Sequence, residues 1–327
     1  MDFSKYLRAL FALMCAGVIA FGVAACGDDE EDSGSDSGGE SSSTAIESNP
    51  DNEGVELTIG SKNFDEQFIL GEIYAQALEA AGYSVETDLN LGSEVIAKKA
   101  LENGDVDAYP EYTSTTLSSL YGVSPEEIPG DAQEAADLAV ENLEGDGLTA
   151  FAPTEFTSAN GVGLLTTTAE DLGVETISDL EGVSEDLDLY GTSECRQRAD
   201  CLVGLEDAYG LEFASFTPVD PELRYEVLDK EDADLSILFT TDGQLFTSED
   251  YTLLEDDEQL LPSGYVIFTA SQDAVDEAGP DFQETVELVQ GELTLEVMQE
   301  LNSRVSLDRE DPADVAADYL EAGGYIE

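Results

Sequence analysis

The 327-residue chain carries 75 Asp and Glu against 11 Lys and Arg, has no histidine, and stands at a formal net charge of −64. A surface of that sign repels phosphate backbones and has no basic cluster with which to release counterions, which excludes nucleic acid as a partner. The missing imidazole removes Ser-His-Asp triads, His-ligated zinc and histidine acid–base catalysis.

The chain opens with Lys5 and Arg8, an apolar run over residues 10–23, and Ala24-Ala25-Cys26. A basic start, a short apolar stretch and small residues before a cysteine predict an export leader, residues 1–26, ending in a lipobox. Cys26 is then the lipidated first residue of a mature protein held at the outer face of the cytoplasmic membrane. Residues 27–54 are almost all Gly, Ser, Asp and Glu with Ile46 as the one large apolar side chain, so they read as a disordered acidic tether. The strongly acidic surface repels itself in dilute buffer and is expected to be stabilised by salt.

From Val55 the chain alternates apolar runs with amphipathic stretches, which predicts an α/β fold. A strand over residues 55–60 leads into a helix in which Leu70, Ile73, Tyr74, Ala77, Leu78 and Ala81 share one face, closed by Gly82. Asn63 is the expected N-cap, with Glu66 three residues on, so Ser61, Lys62 and Asn63 lie on a strand-to-helix turn suited to an anion. Next come a strand over 84–91, a helix over 94–103, a strand over 105–109 and a turn through Pro110 to Thr115. A second set begins at Gly161, with a helix starting at Ser178, a strand over 187–190 and a helix over 202–209. Asp220-Pro221 opens a further helix, with Asp as N-cap and Pro at the first position, and a strand over 234–238 follows. Beyond residues 265–268 the pattern is helical, ending in a helix begun by Asp311-Pro312. Two α/β sets suggest two lobes with a ligand cleft between them.

Cys195 and Cys201 flank five residues, and outside the cytoplasm two such thiols are expected to form a disulfide. Among the few cations, Lys62 stands on the first strand-to-helix turn and Arg198 inside the cysteine loop. Both positions suit a carboxylate ligand, and the alternative is that each cation simply relieves local negative charge. Tyr109 and Tyr112 flank Pro110 at a strand end, the edge that faces a ligand crevice in α/β folds.

The segments LTIGSKNFDEQFILGEIYAQALEAAGY, LENGDVDAYPEYTSTTL, ECRQRADCLVGLEDAYGLEF and LFTTDGQL together resemble the substrate-binding proteins of osmoprotectant ABC importers, which bind glycine betaine, choline or carnitine. The similarity runs from about Val55 to the C-terminus. It implies a two-lobed periplasmic-binding-protein fold of type II, with residues 55–158 and 266–327 forming one lobe and 159–265 the other. It also implies a trimethylammonium group in an aromatic cage, a carboxylate held by Lys, Arg and hydroxyl groups, and delivery to a membrane permease with a cytoplasmic ATPase. The protein is expected to act as a monomer, with no cofactor, no metal and no catalytic residues.

Carried over by motif, Lys62, Tyr112, Thr115 and Arg198 match the family's ligand residues, and Phe239 stands where some members have a cage tyrosine. Asn160 stands where others have Tyr. Gly264 lies opposite a further family Tyr, with Tyr265 one step away; either Tyr265 and another aromatic replace these two cage walls, or the site binds more loosely, or the ligand is not a trimethylammonium compound. The resemblance thus implies a ligand set of Lys62, Tyr112, Thr115, Asn160, Arg198, Phe239 and Tyr265, and retention of Lys62, Thr115 and Arg198 favours a ligand with a carboxylate over choline. A solute sensor of the same fold, a binder of a different small zwitterion and a hydrolase using paired carboxylates are the competing readings. The hydrolase lacks a nucleophile elbow, and abundant acids make any one pair uninformative.

Overall fold

The computed structural model describes residues 45–327; the expected leader, Cys26 with its lipid, and residues 27–44 of the expected tether lie outside them. The described residues form two five-stranded mixed sheets. The first contains β1 (Glu56–Gly60), β2 (Ser84–Asp88), β3 (Ala108–Tyr112), β4 (Leu148–Ala150) and, returning from far along the chain, β10 (Val266–Ser271), in the order β2-β1-β3-β10-β4. The second contains β5 (Asn160–Leu165), β6 (Asp188–Gly191), β7 (Ser215–Pro218), β8 (Leu235–Phe239) and β9 (Tyr251–Leu253), in the order β7-β6-β8-β5-β9. In each sheet four strands run in one direction and the strand that follows a crossover runs antiparallel to them: β10 between β3 and β4, β5 between β8 and β9.

Helix α1 (Asp65–Ala80) is the central support of the first lobe. Ile69, Leu70, Ile73, Tyr74 and Leu78 are all fully buried on it, each contributing about 1.5–3 kcal/mol of apolar transfer. Their partners come from β1, from Val266 and Phe268 of β10, and from the C-terminal helices α9 (Pro280–Gln290), α10 (Leu295–Ser306) and α11 (Pro312–Gly323). The second core gathers Val162, Leu164, Leu189, Leu205, Leu235 and Ile237 with the half-cystines Cys195 and Cys201.

Several local expectations change. Pro110 lies within β3 rather than opening a turn. The Thr113 N–H donates to the Tyr265 carbonyl, so by antiparallel alternation the Pro110 nitrogen faces away from β10, toward β1, where pairing has ended at Ile59–Ala108. The missing N–H therefore costs no ladder bond. Helix α1 begins with Phe64 at the N-cap position and no side-chain cap, because Gln67 reaches back to the Lys62 N–H at 3.2 Å and holds the turn instead of Asn63. The helix expected at Ser178 is a single turn, Ser178–Leu180, with Gly182 at φ +82° just beyond it. Asp220 opens a 3-10 turn, Pro221–Leu223, which runs into α6 (Arg224–Asp229) without a side-chain cap bond from Asp220. Helix α2 (Glu94–Asn103) occupies its expected span.

The tether also ends sooner than expected. The Ile46 N–H donates to the Tyr325 carbonyl at 2.8 Å, and both the Asn49 N–H and the Asn52 side-chain amide donate to the Ala81 carbonyl. Composition alone hid this, because the Ala81 carbonyl beyond the end of α1 needs donors that a short Asn-rich segment can supply.

Candidate functional site

A cleft of about 390 Å³ opens between the lobes, at the carboxyl ends of the parallel strands of both sheets. Lys62 and Phe64 enter it from the turn after β1, Glu94 from the start of α2, and Tyr112, Ser114 and Thr115 from the end of β3. From the second lobe come Asn160, Arg198, Asp200 and Phe239. Six of the seven expected ligand residues therefore share one cavity.

Tyr265 is the exception and corrects that expectation. Its hydroxyl donates to the Gly130 carbonyl at 3.0 Å, and it is not among the residues lining the cleft. Strand alternation turns Tyr265 away while its neighbour Gly264 faces inward. A Cβ on Gly264 would come within 2.3 Å of the Ser158 carbonyl oxygen and 2.7 Å of the Ser114 hydroxyl, so no side chain fits there as the cleft is built.

Phe64 takes a wall that motif matching missed. Its ring is stacked on Tyr112 with centroids 6.4 Å apart and tilted against Phe239 at 5.4 Å, which joins aromatic faces from both lobes. The only signal in the sequence was its place directly after Lys62-Asn63. Arg224 covers Phe239 with its guanidinium carbon 3.9 Å from the ring centroid. The Tyr112 hydroxyl donates to Glu66 at 2.6 Å, and Asn302 of α10 donates to the other Glu66 oxygen and to the Thr241 carbonyl, both at 2.8 Å. That buried chain ties the Tyr112 wall to the turn that follows Phe239.

Neither expected carboxylate-binding cation is free of an acidic partner. The Lys62 ammonium donates to Glu111 and lies 4.4 Å from the Tyr112 ring centroid. Burial pushes the Glu111 carboxyl above its ordinary range, against the pull of Lys62 and of the Tyr112 N–H. Arg198 grips Asp200 with two parallel bonds, Nε at 2.8 Å and a terminal nitrogen at 2.5 Å, while its other terminal nitrogen lies 3.7 Å from Glu94 across the cleft. Burial works to raise the Glu94 carboxyl, but the Arg198 guanidinium, the Ser119 hydroxyl and Lys62 hold it below its usual value. Cys195 and Cys201 are joined, with Cα atoms 5.2 Å apart, and Arg198 sits on the loop they close. Asn160 donates to the Asp200 carbonyl, whereas Asp242 accepts from Arg224, Tyr225 and the Phe239 N–H outside the cleft lining. Arg196 packs on Phe216, and Tyr109 is buried behind Glu111, so both are structural.

Residues 55–322 match the family described as the substrate binding domain of the ABC-type glycine betaine transport system. A glycine-betaine-binding protein of Pseudomonas aeruginosa is 32% identical over 277 residues, covering 81% of this chain and 86% of that protein. A carnitine transport binding protein of Listeria monocytogenes is 27% identical over 274 residues, covering 83% of this chain and 88% of that protein. Among solved structures, a glycine betaine/carnitine/choline ABC transporter protein superposes with a TM-score of 0.66 at 25% identity, covering 83% of this chain and all of that one. The fold is that of the type II periplasmic binding proteins. Such proteins work outside the cytoplasm and hand a small ligand to a permease, and among the described residues no helix is long and apolar enough to cross a membrane. The chain is thus a solute-binding component of an ABC importer and not an enzyme, and it belongs to the family of substrate-binding domains of ABC-type glycine betaine transport systems.

Proposed function

We propose that the cleft captures a small quaternary-ammonium osmolyte and that the protein, lipidated at Cys26 and acting as a monomer, carries it to the permease. The observation that carries this reading is the row of Phe64, Tyr112 and Phe239 along one cavity. A quaternary ammonium has no N–H to donate, so aromatic faces are its natural partners in a desolvated site. The volume suits a ligand of that size. The names of the relatives, which bind glycine betaine or carnitine, support the same class.

Titration calorimetry with glycine betaine, proline betaine, carnitine and choline tests it: saturable heat from at least one is expected, and no heat from any of them removes the assignment. Mass spectrometry of the membrane-extracted protein tests the anchor. A diacylated chain beginning at Cys26 is expected, and an unlipidated chain beginning elsewhere refutes it.

A further inference from the structure

The charges in the cleft are unevenly shared. Two basic side chains, Lys62 and Arg198, line it beside four acidic ones, Glu94, Glu194, Asp200 and Asp220. A fifth carboxylate, Glu111, lies fully buried behind Lys62 and accepts from its ammonium. The Nε edge of Arg198 is spent on Asp200, and what remains of the guanidinium faces Glu94. A ligand carboxylate approaching Arg198 would meet that guanidinium already paired, with the Glu94 carboxylate beside it. Like charges brought together without water between them oppose binding.

Glu94 is well suited to the opposite role. It is held in place by its position at the first turn of α2 and by the Ser119 hydroxyl, which donates to Oε1 at 2.6 Å. An ionised carboxylate is an acceptor only, with oxygen positions left for a ligand O–H. It also adds negative charge on the same cleft that presents the aromatic faces.

We propose that Glu94 is a specificity-determining residue that makes the cleft prefer a quaternary-ammonium alcohol of the choline class over a carboxylate-bearing betaine. This rests on the quaternary-ammonium reading of the site and reverses the preference that Lys62, Thr115 and Arg198 suggest when read from sequence. Glu94 accepts the ligand hydroxyl and, with Asp200, repels a ligand carboxylate.

The test compares choline and glycine betaine by calorimetry on the wild-type protein, on Glu94→Gln and on Glu94→Asp, with thermal unfolding recorded for each. The wild type is expected to bind choline at least about tenfold more tightly than glycine betaine, tenfold being about 1.4 kcal/mol. Glu94→Gln should shift that ratio toward betaine by a similar factor, and Glu94→Asp, which keeps the charge, should retain the wild-type order. Betaine bound as tightly as choline by the wild type, or a Glu94→Gln variant that weakens both ligands equally, overturns the specificity role and leaves the quaternary-ammonium reading standing. Binding of neither ligand by the wild type overturns the specificity role, and the underlying reading falls with it only if carnitine and proline betaine give no heat either.

Discussion

Lys62 and Glu111, 49 residues apart in sequence, meet as an ion pair from which water is almost wholly excluded: their side chains are 6% and 0% exposed. A buried pair of this kind adds little over an apolar pair, but breaking it from one side strands a charge. Lys62→Met is therefore expected to destabilise the ligand-free protein by about 3–5 kcal/mol. Adding Glu111→Gln, which keeps an acceptor for the Tyr112 N–H, should recover part of the loss. Urea unfolding of the two variants decides it, and a single variant as stable as the wild type contradicts the pairing.

Phe64 bridges the aromatic walls of the two lobes, yet it is not one of the fully buried core residues. Phe64→Leu should lower affinity for a quaternary-ammonium ligand by about 1 kcal/mol or more. Stability should change much less. Calorimetry alongside thermal unfolding separates the two effects, and unchanged affinity would leave Phe64 as packing alone.

Helix α7 (Gly243–Thr247) of the second lobe rests on α10 of the first at Gly243, where a Cβ would come within 2.4 Å of the Ser303 Cα. Backbone cannot yield as a side-chain tip does. Gly243→Ala should force the helices apart at a cost of about 1–3 kcal/mol, seen as a lowered urea midpoint. Because this contact joins the lobes, ligand affinity should change too.

The depressed Glu94 carboxyl has a consequence for acid stability. The unfolded chain takes up this proton near the ordinary glutamate value of 4.5, and the folded protein does so only at lower pH. The stability contributed by Glu94 is thus complete above 4.5 and is lost as pH falls through the folded value. The difference in unfolding free energy between wild type and Glu94→Gln should be constant at higher pH and shrink below that point. A difference that grows on acidification contradicts the assignment.

The net charge of −64 predicts a strong salt response. Self-repulsion among exposed carboxylates is screened over about 10 Å at 0.1 M salt and about 3 Å at 1 M. The thermal midpoint should therefore rise between dilute buffer and molar sodium chloride, and equal midpoints would show that the surface charges are already compensated locally.

Much of the fold was legible in particular residues. The spacing of Leu70, Ile73, Tyr74 and Leu78 marked the buried face of α1, and Asp311-Pro312 marked the start of α11, where Asp311 accepts from the Ala313 N–H. Pro110 misled because its effect depends on which neighbouring strand its nitrogen faces, a fact of sheet register. The Ser178 helix failed because a cap signal promises a start but not a length, and no long apolar face follows it.

The sequence by itself determined the α/β class, the acidic character that excludes nucleic acid, and the residue types of a site for a small ligand. These follow from local periodicity, net composition and short motifs, which lie within a few residues of one another. Only the tertiary structure decided that Phe64 joins Tyr112 and Phe239, that Tyr265 turns outward, and that Lys62 and Arg198 are already engaged by Glu111, Asp200 and Glu94. Which charge meets which depends on distance and on exclusion of water. Glu94 and Arg198 come from opposite lobes, so their meeting exists only once the two sheets face each other across the cleft.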